Sequence, residues 1–113
     1  MALTFRNYVL SSIEGGLDPQ PAMLLAGKSG GTIVKSLEII TGDESCKVEV
    51  IRTDSTSASF SPDAVYADIK LDLKANDYLV LWEGFFVIPQ NHRIWIKSTS
   101  SKVRVVANVV DMT

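Results

Sequence analysis

The sequence predicts an all-β fold, a two-sheet antiparallel sandwich of jelly-roll-like layout with about eight strands, and three observations carry that reading. Short runs alternate polar and apolar residues along the whole chain, the period of a half-buried strand. Each run ends in Gly, Pro, Asn, Asp or Ser, the residues that turn a backbone. No stretch repeats its apolar residues at helical spacing, so the crossover helices of an α/β fold have no candidate.

The first strand is predicted at Leu3–Leu10, with Leu3, Phe5, Asn7 and Val9 on one side and Thr4, Arg6, Tyr8 and Leu10 on the other. Residues 11–21 hold Gly15, Gly16, Pro19 and Pro21, which exclude regular structure, and residues 1–21 are expected as an extended N-terminal arm and loop. A short strand at Ala22–Ala26 leads through Gly27, Lys28, Ser29, Gly30 and Gly31 into a strong strand over residues 32–41, in which Ile33, Leu37 and Ile39 are expected to share a face. Cys46, Val48 and Val50 then alternate with Lys47, Glu49 and Ile51, and the polar residues 54–59 form an exposed loop. Residues 65–73 alternate most cleanly, Val65, Ala67, Ile69, Leu71 and Leu73 against Tyr66, Asp68, Lys70 and Asp72. Residues 78–88 break the rule: they are apolar on both faces, which predicts cover on both sides. Two strands follow, one placing Ile94 and Ile96 inward and Trp95 outward, and one placing Val103, Val105, Ala107 and Val109 on a single face.

At 113 residues the chain suits one domain with one core. A formal net charge of −2, with Lys and Arg dispersed, lacks the basic footprint of a nucleic-acid binder. The start of the chain has no basic and apolar leader, and no run is long enough to span a membrane as a helix, so a protein made in a cytoplasm is expected. The single cysteine, Cys46, has no intrachain disulfide partner and falls on a core face, where a thiol acts as a small apolar filler.

Catalytic chemistry finds few candidates. The only histidine, His92, lies in a turn with no G-x-S-x-G elbow in the chain, and one His and one Cys cannot close a zinc site. Asp43, Glu44, Asp54, Asp63 and Asp77 fall in turns, where carboxylates can bind calcium, but without the spacing of a calcium loop. Asp68 and Asp72 share a strand face with Lys70 between them, which fits a salt-bridged surface better than an acid/base pair. Gly27 to Gly31 lack the spacing of a phosphate loop. No catalytic residue, cofactor or metal ligand is therefore assigned. The aromatic residues Tyr66, Trp82, Phe85, Phe86 and Trp95 are the candidate interface instead, since such side chains concentrate at the centres of interfaces and also stack on sugars.

Phe5-Arg6-Asn7-Tyr8, the strand from Thr32 to Ile39, the segment from Leu79 to Pro89, Ile94-Trp95-Ile96-Lys97-Ser98 and the valine-rich final strand together resemble small β-sandwich virion proteins of tailed bacteriophages, the tail, fibre-base, neck or capsid-decoration class. That resemblance implies repeated copies in a virion assembled in the host cytoplasm, partners that are the chain itself and other virion proteins, and no catalysis. The competing expectation is a carbohydrate-binding sandwich, with Trp95 and Tyr66 as its stacking platform and calcium as a possible companion.

Overall fold

Val and Ile crowd the alternating positions, and in the computed structural model those positions become the inner surfaces of two facing sheets. The structure describes residues 2–11, 13–81 and 86–113. In chain order the strands are β1 (Leu3–Leu10), β2 (Ala22–Ala26), β3 (Thr32–Ile40), β4 (Cys46–Thr53), β5 (Val65–Leu73), β6 (Tyr78–Leu81), β7 (Phe86–Ile88), β8 (Arg93–Ser98) and β9 (Arg104–Met112). Among the described residues the only helical element is a 3-10 turn, Pro62–Ala64, which starts on the proline.

Sheet A has the order β1-β9-β3-β6, with β7 also on β3, and sheet B the order β2-β8-β4-β5. Every pairing is antiparallel. First strand pairs with last, second with next to last, and so inward to β4 with β5, as though one long hairpin had been rolled up. β6 pairs with residues 37–40 of β3 and β7 with residues 32–34, so the two occupy one strand position. Counted that way, the order is that of an eight-stranded jelly roll.

The core is built from the inward residues of both sheets: Val34, Leu37, Ile39, Val105, Ala107 and Val109 from sheet A against Leu25, Val48, Val50, Ile94 and Ile96 from sheet B. Cys46 joins them, as its alternation predicts, and burial pushes its thiol pKa up. The β5 face follows the predicted alternation to its last residue.

Four local expectations need revision. Ile33 does not share the core face of Leu37 and Ile39, because the register shift between Val34 and Ser36 turns Val34 inward and sets Ile33 on the opposite face. Leu3–Leu10 is extended, yet it lies along β9 in unbroken register rather than projecting as an arm. Residues 13–16 are tied down: Ile13 enters the core and the Gly16 N–H donates to the Thr99 carbonyl at 3.0 Å. Residues 78–81 and 86–88 are covered on one side only, because Leu79, Leu81, Phe86 and Ile88 face the core while Tyr78 and Val87 stand exposed on the far side. One turn admits only glycine for steric reasons: a Cβ on Gly27 would lie 2.1 Å from the Pro89 carbonyl oxygen. That close approach anchors the β2–β3 turn to the residues before β8, where the Gly27 N–H reaches the His92 carbonyl.

Candidate functional site

Each sheet has a second face, turned away from the core, and the strand registers show what it carries. On sheet A, cross-strand partners align Phe5, Val110, Ile33 and Val87 in one row across four strands. The next row is polar, Asn7, Asn108 and Ser36, and the one after it is Val9, Val106, Glu38 and Val80. Arg104, Ile40 and Tyr78 close the face. Phe5 is 73% exposed and Leu3 59%, far more than a monomer's own packing requires of such side chains. Polar groups on this face bond among themselves: Asn108 Nδ2 donates to Ser36 Oγ and to Glu38 Oε2, Tyr78 Oη donates to Glu38, and the Lys35 ammonium stands 5.7 Å from the Phe5 ring centre. Phe5, Asn7, Lys35 and Asn108 border a shallow open depression.

Sheet B is finished differently. Its outer rows carry Lys97, Glu49 and Lys70, then Lys47 and Asp72, so opposite charges face each other across strands. The Lys97 and Glu49 side chains lie 3.7 Å apart. Where this face turns apolar, at Ile51 and Trp95, the chain covers it: Phe60 meets the Trp95 ring edge-on at 5.5 Å, Trp95 Nε1 donates to Thr53 Oγ1 at 2.9 Å, and an Arg93 Nη1 donates to the Ser55 carbonyl.

Trp95, expected outward and accessible, is therefore buried at 4% exposure, because residues 54–60 fold back over it. It offers no ring to a sugar or a partner. Tyr66 and Phe86 do come together, at one end of the sandwich, where the Arg52 guanidinium lies 5.1 Å from one ring centre and 5.2 Å from the other. Tyr66 Oη also shares a 2.8 Å hydrogen bond with His92 Nδ1. Trp82 and Phe85 lie outside the described residues.

Sequence reasoning missed two features. The first is the outer face of sheet A, whose signal was available in β1, where both side-chain sets are rich in apolar residues. The second is Asp111, a carboxylate buried on the inner face of β9. It accepts hydrogen bonds from Tyr8 Oη at 2.6 Å and Thr32 Oγ1 at 2.7 Å, and Arg6 Nε lies 3.2 Å away. Burial first, then the hydrogen bond to Asp111 and its charge, push the Tyr8 pKa up to about 12 against the opposing pull of Arg6. Tyr8 and Arg6 both belong to β1, so this cluster clamps that strand to β9 and β3. Among the described residues no three His, Cys, Asp or Glu side chains converge as a metal site.

No family model matches the chain, and neither does any curated protein or solved structure.

Proposed function

We propose that this chain is a structural assembly protein, a component of a tailed-bacteriophage virion that acts by protein–protein contact and catalyses no reaction. The observation that supports this reading is the outer face of sheet A, where Leu3, Phe5, Val9, Ile40, Tyr78 and Val87 are all exposed on one surface. Exposed apolar side chains gathered on one face are a cost in solubility that a partner offsets, by removing roughly 25 cal/mol of unfavourable hydration for each Å² it covers. Jelly-roll sandwiches serve virus shells and lectins alike, so the fold alone does not choose between them. Burial of Trp95 weighs against the lectin reading, which would stack a sugar on that ring, although Tyr66, its other platform ring, stays exposed.

The particle itself follows from the resemblance of the strand motifs to tail and decoration proteins, with the host cytoplasm as the place of assembly. The test is proteomic analysis of density-banded virions, paired with co-sedimentation of the purified chain with particles. Incorporation that Phe5→Ser and Val87→Ser weaken is the expected result. Absence of the chain from particles, together with specific glycan binding, overturns the reading.

A further inference from the structure

The Ala2 N–H donates to the Thr113 carbonyl at 2.8 Å and the Thr113 N–H to the Ala2 carbonyl at 3.0 Å, so these residues exchange both hydrogen bonds. In an antiparallel ladder such pairs alternate with pairs that exchange none. The β1–β9 register runs without a shift from Leu3 opposite Met112 to Leu10 opposite Val105. The even-numbered residues of β1 therefore direct their N–H and C=O groups to β9. Leu3, Phe5, Asn7 and Val9 direct theirs at the open edge of sheet A, and the same four residues place their side chains on its apolar outer face.

Edge strands are ordinarily blunted by lysine, proline, a bulge or sheer shortness. β1 has none of these: it is eight residues long, and its one charged side chain, Arg6, is engaged with Asp111. The Asp111 cluster holds this edge in place through Tyr8 and Arg6, so its backbone groups are ordered before any partner arrives.

We propose that β1 pairs antiparallel with β1 of a second copy across a two-fold axis at Asn7, joining two five-stranded sheets into one continuous sheet. The inference rests on the assembly reading above and specifies its partner and geometry. Only registers that set odd-numbered residues opposite odd-numbered ones match donors with acceptors at this edge. Centring on Arg6 would oppose two arginines, whereas centring on Asn7 sets Phe5 opposite Val9, Asn7 opposite its own copy and Arg6 opposite Tyr8. Aromatic and β-branched residues facing each other are favourable cross-strand pairs, and no like charges meet. The strand is thus complementary to itself in backbone and side chains, which is what an isologous contact demands. The row of Phe5, Val110, Ile33 and Val87 then continues through Val9 of the partner onto a doubled outer face.

The test uses the full chain. Asn7→Pro removes an N–H that points only at the open edge, a position where a sheet tolerates proline. The wild type is expected to be dimeric by light scattering, and Asn7→Pro to dimerise roughly tenfold or more weakly with an unchanged far-UV spectrum. Asn7→Cys provides a second readout that does not depend on proline being accommodated. Under mild oxidation it should form a covalent dimer, Val9→Cys alone should not, and a mixture of Phe5→Cys and Val9→Cys should; wild type, with Cys46 buried, serves as the control. A wild type that stays monomeric at every concentration overturns the inference, while virion incorporation separately decides the assembly reading. Self-association that survives Asn7→Pro, with no cross-link at Asn7→Cys, also overturns it and assigns the contact to another surface or another protein.

Discussion

The outer face of sheet B carries Lys47, Glu49, Lys70, Asp72 and Lys97 and keeps its large ring, Trp95, beneath residues 54–60, whereas the outer face of sheet A leaves Phe5, Val9, Ile40, Tyr78 and Val87 in contact with solvent. Both sheets contribute their inner faces to one shared core, so the difference lies outside it. It lies in what the chain does with apolar residues that the sandwich does not use. On sheet B a loop returns to cover Trp95, although Met23 and Tyr66 stay exposed. On sheet A none of the described residues returns to cover the outer apolar side chains, and they stay in contact with solvent. Residues of the same chemical type are thus covered by the chain on one side and left in contact with solvent on the other.

This contrast makes unequal demands on substitutions. Trp95→Ala should cost the monomer about 3–5 kcal/mol, because it empties a filled site and orphans the Thr53 hydroxyl, and urea unfolding followed by circular dichroism would measure it. A loss under about 1 kcal/mol would mean that the loop does not cover the ring in solution. Tyr8→Phe should cost about 1–3 kcal/mol near neutral pH, since it removes a hydrogen bond to a buried carboxylate. It should also change the alkaline limb of stability. The folded-state pKa of Tyr8 is raised from 10.0 to about 12, so the unfolded chain gives up this proton first. The stability due to Tyr8 is whole below pH 10 and is lost as pH rises from 10 to about 12, and Tyr8→Phe should remove that portion of the decline.

On the outer face of sheet A the order of effects reverses. Phe5→Ser combined with Val87→Ser should shift monomer stability by no more than about 0.5 kcal/mol per site, while weakening co-sedimentation of the chain with particles. Large destabilisation with association intact would move the interface elsewhere. The smallest effect belongs to the finished face: Lys97→Ala, which breaks a half-exposed pair with Glu49, should cost about 0–0.5 kcal/mol in a salt-dependent way and leave the oligomeric state unchanged.

Much of this architecture was legible in the residues. Alternation placed Cys46, Val48 and Val50 inside and identified all of β5, because a half-buried strand has only two faces and one must be apolar. Alternation also failed at definite points. It set Trp95 outward with Arg93 and Lys97, which is the correct face of its strand but the wrong exposure, since period two cannot reveal that a loop forty residues earlier folds back over that spot. It read residues 78–88 as covered twice, when the outward Tyr78, Val80 and Val87 belong to a face that spans β1, β9 and β3. Asp111 was invisible for a related reason: its partners Tyr8 and Thr32 are remote in sequence and meet only because the first strand lies beside the last.

By itself, then, the sequence determined the fold class, most of the strands and, for β4, β5, β8 and β9, the face that enters the core, because these depend on local pattern and hydrophobic burial. The tertiary structure alone decided which apolar residues remain uncovered, that β1 ends sheet A with an open edge, and that its odd-numbered backbone groups and side chains point away from the core together. Those properties come from strand order and register, which pairing across the whole length of the chain creates and no local stretch of residues contains.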